Sequence, residues 1–303
     1  MLTLKNLETF VWVVRLGGFG HAAKRLNTTQ SAVSQRIALL ESALGATLLE
    51  RQPRQVLPTS KGRELLPYAE QMLRLQSDLL HVIGAPDAFR GHIRLGVSET
   101  IAHTCLLHLV QKMQTTYPQV VMDIEVDIST NLRDALLRGD LDMIIPAMPI
   151  LEPNVRNVDF VGYPMAWVAS PALELPRTGV TLKDIAHYPV ITYPKSTRPY
   201  QDLRDMFLRA DITDFKIYGN TSLSAIARMC SGGIGIAAMP PEVISRELNQ
   251  EELYVIDVVD AILPDLRFTI SYVLTPDTHL LDAIAQFALD MLAEAENSQV
   301  SKP

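Results

Sequence analysis

The chain has 303 residues, 48% of them hydrophobic and 20% charged, with a formal net charge of −7 at pH 7. That is an ordinary folding composition with room for two domains, each with its own core. Its 15 glycines and 19 prolines are scattered, which excludes collagen-like repeats and low-complexity disorder, and the acidic total argues at first sight against a nucleic-acid partner.

The distribution of charge says otherwise. Residues 1–60 hold seven basic and three acidic side chains, a net +4; residues 61–89 hold three and four, a net −1; residues 90–303 hold 17 and 27, a net −10. A basic head on an acidic body is the asymmetry expected when one domain meets nucleic acid, although +4 over 60 residues is also a modest solvated surface. Two cysteines, Cys105 and Cys230, cannot build a zinc ribbon or a disulfide framework; buried free thiols in a reducing cytoplasm are expected. No secretory signal opens the chain and no run of 18 apolar residues exists, so no membrane partner is expected.

In chain order, Leu4, Leu7, Phe10, Val11 and Val14 recur at helical spacing, and Gly17-Gly18 stops that helix. A short helix over residues 20–26 follows, with Ala22 and Ala23 on one side. Thr29 can cap a third helix over 30–44, whose apolar stripe is Val33, Ile37, Leu40 and Leu44. Ser31, Ser34 and Gln35 lie on the far side of that helix, with Arg36 at its flank. Helix, tight turn and a helix with a small polar face make a helix-turn-helix, in which Ser and Gln reach base edges without filling the groove. A plain three-helix bundle with solvated Ser and Gln fits the same spacing. Two short extended stretches around Gln52-Pro53 read as a wing hairpin, with Arg51 and Arg54 at its tip for phosphates or a minor groove.

The run Phe10, Gly17-Gly18-Phe19, Ala22-Ala23, Leu26, Thr29-Gln30-Ser31-Ala32-Val33-Ser34, Ile37, Leu40-Glu41, Leu44-Gly45, Leu48-Leu49, Arg51, Leu57-Pro58-Thr59 and Gly62 resembles the N-terminal domain of the LysR-type transcriptional regulators. Order and spacing hold over about 60 residues. Leu49 departs from the family's usual Phe, a core substitution that does not touch the DNA argument. The resemblance implies that the third helix reads the major groove, with base or phosphate contact by Thr29, Gln30, Ser31, Ser34, Gln35 and Arg36, and wing contact by Arg51 and Arg54.

Thr59 or Ser60 can cap a long helix over 61–83, in which Leu65, Met72 and Leu79 repeat every seven residues, flanked by Leu66, Ala69, Leu73, Leu80 and Ile83. The seam suits pairing with a second chain or packing on its own wing domain; the resemblance favours a homodimer, or the homotetramer common in the family. A dimer would join two half-sites in double-stranded DNA. Residues 84–87 read as a hinge.

From residue 90 onward strands and helices alternate: strands over 92–97, 120–126, 141–145, 189–192, 215–218, 234–237 and 266–274, and helices over 101–116, 131–138, 200–209, 223–230 and 278–296. Alternation implies parallel sheets. Extended crossings near 158–170 and 266–274 suggest two lobes with a cleft between them. The division expected is a winged helix-turn-helix DNA-binding domain over 1–60, a linker over 61–88 and an α/β effector domain over 89–303. Lobe I takes about 90–163 and 269–303, lobe II about 164–268. The resemblance implies an effector domain like a periplasmic binding protein.

Ligands in such folds sit at the carboxyl ends of strands, against helix N-termini. Four corners qualify: Ser98-Glu99-Thr100, Ser129-Thr130, Tyr193 to Arg198 with Lys195 and Ser196, and Asn220 to Ser222. Small hydroxyls at such points also cap helices without any ligand. The resemblance adds weight at Ser98, Thr100, Thr130 and Ser196. Lys195 and Arg198 favour a small carboxylate, whereas Glu99 favours an ammonium group; an amino-acid-like effector would use both, and solvated loop charges are the plain alternative.

Gly233-Ile234-Gly235 follows a helix and opens a strand, the reverse of a dinucleotide fingerprint. His103 and His108 are five apart and lack a third ligand, and no catalytic motif is present. The reading is a ligand-responsive DNA-binding regulator, not an enzyme, with no metal and no cofactor. A transport-type binding module or an enzyme with an incidental helical head is the rival from another class, and it has no use for an arginine-bearing wing.

Overall fold

The structure, a computed structural model, describes residues 2–26, 28–52, 55–83, 91–274 and 278–300. Helices α1 (Leu4–Leu16), α2 (Phe19–Arg25) and α3 (Gln30–Leu44) and the hairpin β1 (Leu49–Gln52) and β2 (Gln55–Pro58) form the head. Thr3 caps α1 by accepting from Asn6 N at 3.2 Å, and Gly17, at φ +65°, ends it in the left-handed conformation that favours glycine. Leu7, Phe10 and Val11 of α1 pack on Ala22 and Ala23 of α2 and on Val33, Ile37 and Leu40 of α3. The two alanines let α2 and α3 approach closely. Leu49 is buried in this same core.

Helix α4 (Ser60–Ile83) leaves the head. Thr59 caps it, accepting from Gly62 N at 3.0 Å while donating to Thr47 O at 2.8 Å. A Cβ on Gly62 would lie 2.1 Å from the Leu48 carbonyl oxygen, so the close start of α4 on the wing requires glycine. The single seam expected from sequence is two faces. Leu65, Leu66, Ala69 and Leu73 pack into the head's own core, while Tyr68, Met72 and Leu75 are exposed beside them. The expected hinge at 84–87 and the Leu79, Leu80 and Ile83 side chains lie outside the described residues.

The remainder runs β3 (Gly91–Val97), α5 (Glu99–His103), α6 (Leu106–Thr116), β4 (Val120–Val126), α7 (Ser129–Arg138), β5 (Met143–Ile145), β6 (Val155–Tyr163), β7 (Ala166–Ala169), α8 (Leu182–Ala186), β8 (Val190–Thr192), α9 (Arg198–Arg209), β9 (Ile217–Gly219), α10 (Leu223–Ser231), β10 (Ile236–Met239), α11 (Ser245–Asn249), β11 (Tyr254–Ile256), β12 (Leu266–Val273) and α12 (Thr278–Val300). Lobe I holds the sheet β4-β3-β5-β12-β6 and lobe II the sheet β11-β7-β10-β8-β9.

The sheets are mixed, where alternation implied parallel ones. The βα units pair in parallel, β3 with β4 and β5, and β8 with β9 and β10. The strands that carry the chain between lobes run against them: β12 is antiparallel to β5 and β6, and β7 to β10 and β11. Pairing of Leu266 with Tyr163 brings the return segment into lobe I ahead of residue 269. The helix expected over 101–116 breaks between α5 and α6, where Thr104 Oγ1 donates to Thr100 O at 2.8 Å. The lobe I core joins Val97, Ile101, Met113, Phe268 and Tyr272 to Leu281 and Ile284 of α12. The lobe II sheet is covered by Ile185, Leu203 and Phe207 on one face and Leu223, Ile226 and Cys230 on the other.

Candidate nucleic-acid interface and effector cleft

The far face of α3 is open. Thr29 caps the helix, accepting from Ala32 N at 3.2 Å, and its hydroxyl lies 2.9 Å from that of Ser31. Gln30, Ser31 and Gln35 are exposed, and Ser34 and Arg36 are half-buried. Among the described residues the side chains of Gln30, Ser34, Gln35 and Arg36 make no hydrogen bond or ion pair, which leaves their polar groups available to a partner. Glu41 Oε1, from the same helix, accepts from Leu48 N at 2.7 Å and Leu49 N at 3.3 Å, tying the wing to α3. Val56 N donates to Gly17 O at 2.8 Å, tying the wing to the α1–α2 turn. Arg51 falls on β1; its side chain and the whole of Arg54 lie outside the described residues.

Between the lobes lies a cavity of about 1060 Å³. Ser98, Glu99, Thr100, Thr130, Ser196, Arg198 and Ser222 line it, and Lys195 does not. The four corners thus converge, but their side chains differ in what they already do. Ser222 caps α10, accepting from Ala225 N at 3.3 Å. Ser98 does not cap α5; its hydroxyl is buried without a hydrogen-bond partner. Thr100 Oγ1 meets the Tyr193 hydroxyl at 2.9 Å. Glu99 Oε2 accepts from Leu223 N at 2.8 Å, at the start of α10, with His103 Nε2 3.6 Å from its other oxygen. That carboxylate satisfies a helix N-terminus of the opposite lobe. Arg198 lies 3.4 Å from Asp202.

Tyr193, placed by sequence in the third corner, is joined in the lining by two arginines that the sequence did not single out, Arg133 and Arg267. Tyr193 directly follows β8 and reaches lobe I; burial, and then the Glu99 charge, hold its hydroxyl well above the ordinary phenol range against the opposing effect of the Thr100 hydrogen bond. Arg133 on α7 is paired with Glu152 and Asp134. Arg267 on β12 has no ion pair among the described residues. Arg133 lies in the first turn of the helix expected over 131–138, just after the Ser129-Thr130 corner, which is the signal that would have found it. Arg267 lies inside a strand expected only to connect the lobes.

Two side chains on the crossing strands fix the rims. Asn157 on β6 accepts from Ile150 N at 2.8 Å and donates to Ile150 O at 2.8 Å, holding the loop after β5. Trp167 Nε1 on β7 donates to Ala261 O at 2.9 Å, holding the loop before β12.

Neither cysteine lines the cavity. Burial pushes both thiols up, Cys230 to about 11, and both are buried. Among the described residues no cluster of three His, Cys, Asp or Glu side chains is placed to hold a metal ion, and no helix is long and apolar enough to cross a membrane.

Residues 4–63 match the model of the bacterial regulatory helix-turn-helix protein of the lysR family, and residues 86–296 match the LysR substrate binding domain. The chain belongs to the LysR-type regulators. It is a ligand-responsive, DNA-binding transcriptional regulator and not an enzyme. Like other LysR-type regulators it works with DNA, a small-molecule effector and further copies of itself. It is 28% identical over 263 residues to the "Probable hydrogen peroxide-inducible genes activator" of Mycobacterium leprae, covering 83% of this chain and 82% of that one. Its fold is similar to that of a full-length OxyR variant from Pseudomonas aeruginosa (TM-score 0.61, 22% identity, 95% of each chain). It is equally similar to ArgP from Mycobacterium tuberculosis (TM-score 0.61, 21% identity, 96% of this chain and 97% of that one).

Proposed function

We propose that this LysR-type regulator reads two half-sites in duplex DNA in the cytoplasm, with Thr29, Gln30, Ser31, Ser34, Gln35 and Arg36 of the third-helix segment in the major groove. Arg51 and Arg54 of the wing touch phosphates or the minor groove. The observation that supports the groove assignment is an exposed polar face on α3 whose Gln30, Ser34 and Gln35 make no side-chain hydrogen bond within the described chain. The exposed stripe of Tyr68, Met72 and Leu75 on α4 supports pairing with a second copy, which joins the half-sites.

The effector is a small carboxylate held in the interlobe cavity by Ser98, Thr100, Thr130 and Ser196, near Arg198. The unpartnered, buried hydroxyl of Ser98 supports this, because a buried polar group without a partner is costly and a ligand oxygen relieves it. Arg267 adds a cation that the chain leaves unpaired among its described residues. The amino-acid-like half of the reading rests on Glu99, and Glu99 is already engaged by Leu223 N. Lys195, away from the cavity lining, contributes at most long-range charge. Peroxide response through a thiol has no support here: oxidation proceeds through accessible thiolates, and both thiols are buried with raised pKa.

The DNA half is tested with the duplex that the full chain selects from a random pool. S34A combined with Q35A should abolish preference for that duplex over random DNA, and affinity should fall with salt. Unchanged preference in the double variant would refute the recognition face. The effector half is tested by thermal-shift screening of the full chain against small acids, amines and amino acids, where R198A should weaken binding of any carboxylate found.

A further inference from the structure

The head and lobe I touch, and the contact runs to the cleft through one helix. The α7 N-terminal turn lines the cavity with Ser129, Thr130 and Arg133, and Ser129 Oγ accepts from Ala147 N at 3.0 Å on the far side of the same corner. Ten residues later, about 15 Å along the helix axis, α7 ends at Gly139, which takes φ +75°. A Cβ there would lie 2.9 Å from Leu16 Cδ2 of α1, so the end of α7 bears on the head.

Next to that contact sits Asp142, with a side chain only 4% exposed. It accepts from Arg94 N at 2.9 Å and from Arg94 Nη2 at 2.8 Å, within lobe I. Arg25 Nη1, at the end of α2, reaches it from the head at 2.5 Å. The Arg25 guanidinium also lies 4.5 Å over the Trp12 ring, so it is anchored in the head's core on its other side. Arg15 of α1 donates to the Leu274 carbonyl and pairs with Glu70 of α4 at 2.7 Å.

We propose that α7 is a strut between the effector cleft and the helix-turn-helix of the same chain. Asp142 is the positioning residue that fixes the head's orientation through Arg25. The proposal rests on the cleft being the effector site. A buried carboxylate shared by two arginines from two domains is a firm link, because neutralising it leaves two guanidiniums side by side without a counter-charge. Movement of the α7 start, on filling of the cleft, shifts Gly139 against Leu16 and Asp142 against Arg25. Helix α2, and with it α3, then changes its angle to lobe I. By linkage the traffic is reciprocal: DNA bound to the head must alter the cleft end of α7.

That reciprocity gives a test that needs no effector. Hydrogen exchange of residues 128–134 and 146–150 is measured on the full chain, free and saturated with the selected duplex. In the wild type the duplex should change exchange at these cleft segments at least twofold. In D142N and in R25Q that change should vanish while the duplex still binds. R25Q leaves the Arg94–Asp142 pair intact, so it stands if D142N fails to fold. The same variants should lose about tenfold in affinity for paired half-sites and little for a single half-site, since a freed head loses only its preset orientation. No change in wild-type exchange, or a change that persists in both variants, overturns the proposal. So does an R25Q salt slope reduced by about one with D142N at wild-type values, which makes Arg25 a phosphate contact. If the screen against small acids fails while the exchange coupling holds, the effector reading falls and the strut stands.

Discussion

The Tyr193 hydroxyl of lobe II lies 2.9 Å from the Thr100 hydroxyl of lobe I, so one hydrogen bond ties the two walls of the cleft. Thr100 is 1% exposed, and Glu99 beside it accepts from Leu223 N, so the walls are held by two adjacent residues of one corner. Y193F removes the bond and leaves the Thr100 hydroxyl short of a partner. The expected cost is about 1–2 kcal/mol in urea unfolding, with faster hydrogen exchange at residues 98–101. An unchanged midpoint and unchanged exchange would show that the bond does not hold the lobes.

Ser98 should behave in the opposite sense. Its hydroxyl is buried and unpartnered, so S98A removes an unsatisfied polar group. Without effector, the variant should be more stable than the wild type by about 1 kcal/mol. With any carboxylate found by screening, it should bind about tenfold more weakly. A loss of stability in S98A would mean that the hydroxyl is satisfied in the ligand-free chain.

Alkaline pH should unfold the protein early. Burial raises Cys230 from 9.0 to about 11, and its thiol lies 3.3 Å from Val168 O. Between those values the unfolded chain has lost the proton and the folded chain keeps it, so stability falls as pH rises above about 9. Up to about 2–3 kcal/mol is at stake for this group by pH 11. Tyr163, pushed up to about 12 chiefly by burial, adds its share from about pH 10. Urea midpoints from pH 8 to pH 10 should decline in the wild type and flatten in C230A; parallel curves would contradict the assignment.

Gly62 is the tightest backbone approach between wing and linker, 2.1 Å from a new Cβ to Leu48 O. G62A must push α4 off the wing or distort the Thr59 cap. A cost of about 3 kcal/mol in thermal unfolding is expected, with weaker DNA binding through a displaced wing. Wild-type melting would show that α4 can shift freely.

How legible these features were depends on what signal each leaves. Helix α3 runs over the residues its stripe and Thr29 cap foretell, because cap, stripe and Gly45 stop all act locally. The break between α5 and α6 leaves none: Ile101, Cys105, Leu109 and Met113 continue one buried stripe straight across it. The antiparallel strands β7 and β12 were legible as crossings but not as pairings, since strand direction depends on where the partner sits, not on the strand's own residues. The linker seam misled because its apolar positions serve two surfaces at once, Ala69 and Leu73 inward and Met72 outward. In the cleft, hydroxyls at strand ends marked the corners. The engagement of Glu99 across the lobes could not be read, because its partner Leu223 is a backbone donor 124 positions away.

Glu41 holds both Leu48 N and Leu49 N, and Gly17 O holds Val56 N, so the wing is bolted to the helices at both of its strands. The head is therefore a caliper with a set gap. It cannot stretch to suit a duplex whose grooves are spaced differently, so the duplex must supply the adjustment. Base pairs between helix and wing, which no side chain touches, then matter through how cheaply they bend or narrow. Binding sites should share easily deformed steps there, and not a fixed order of bases.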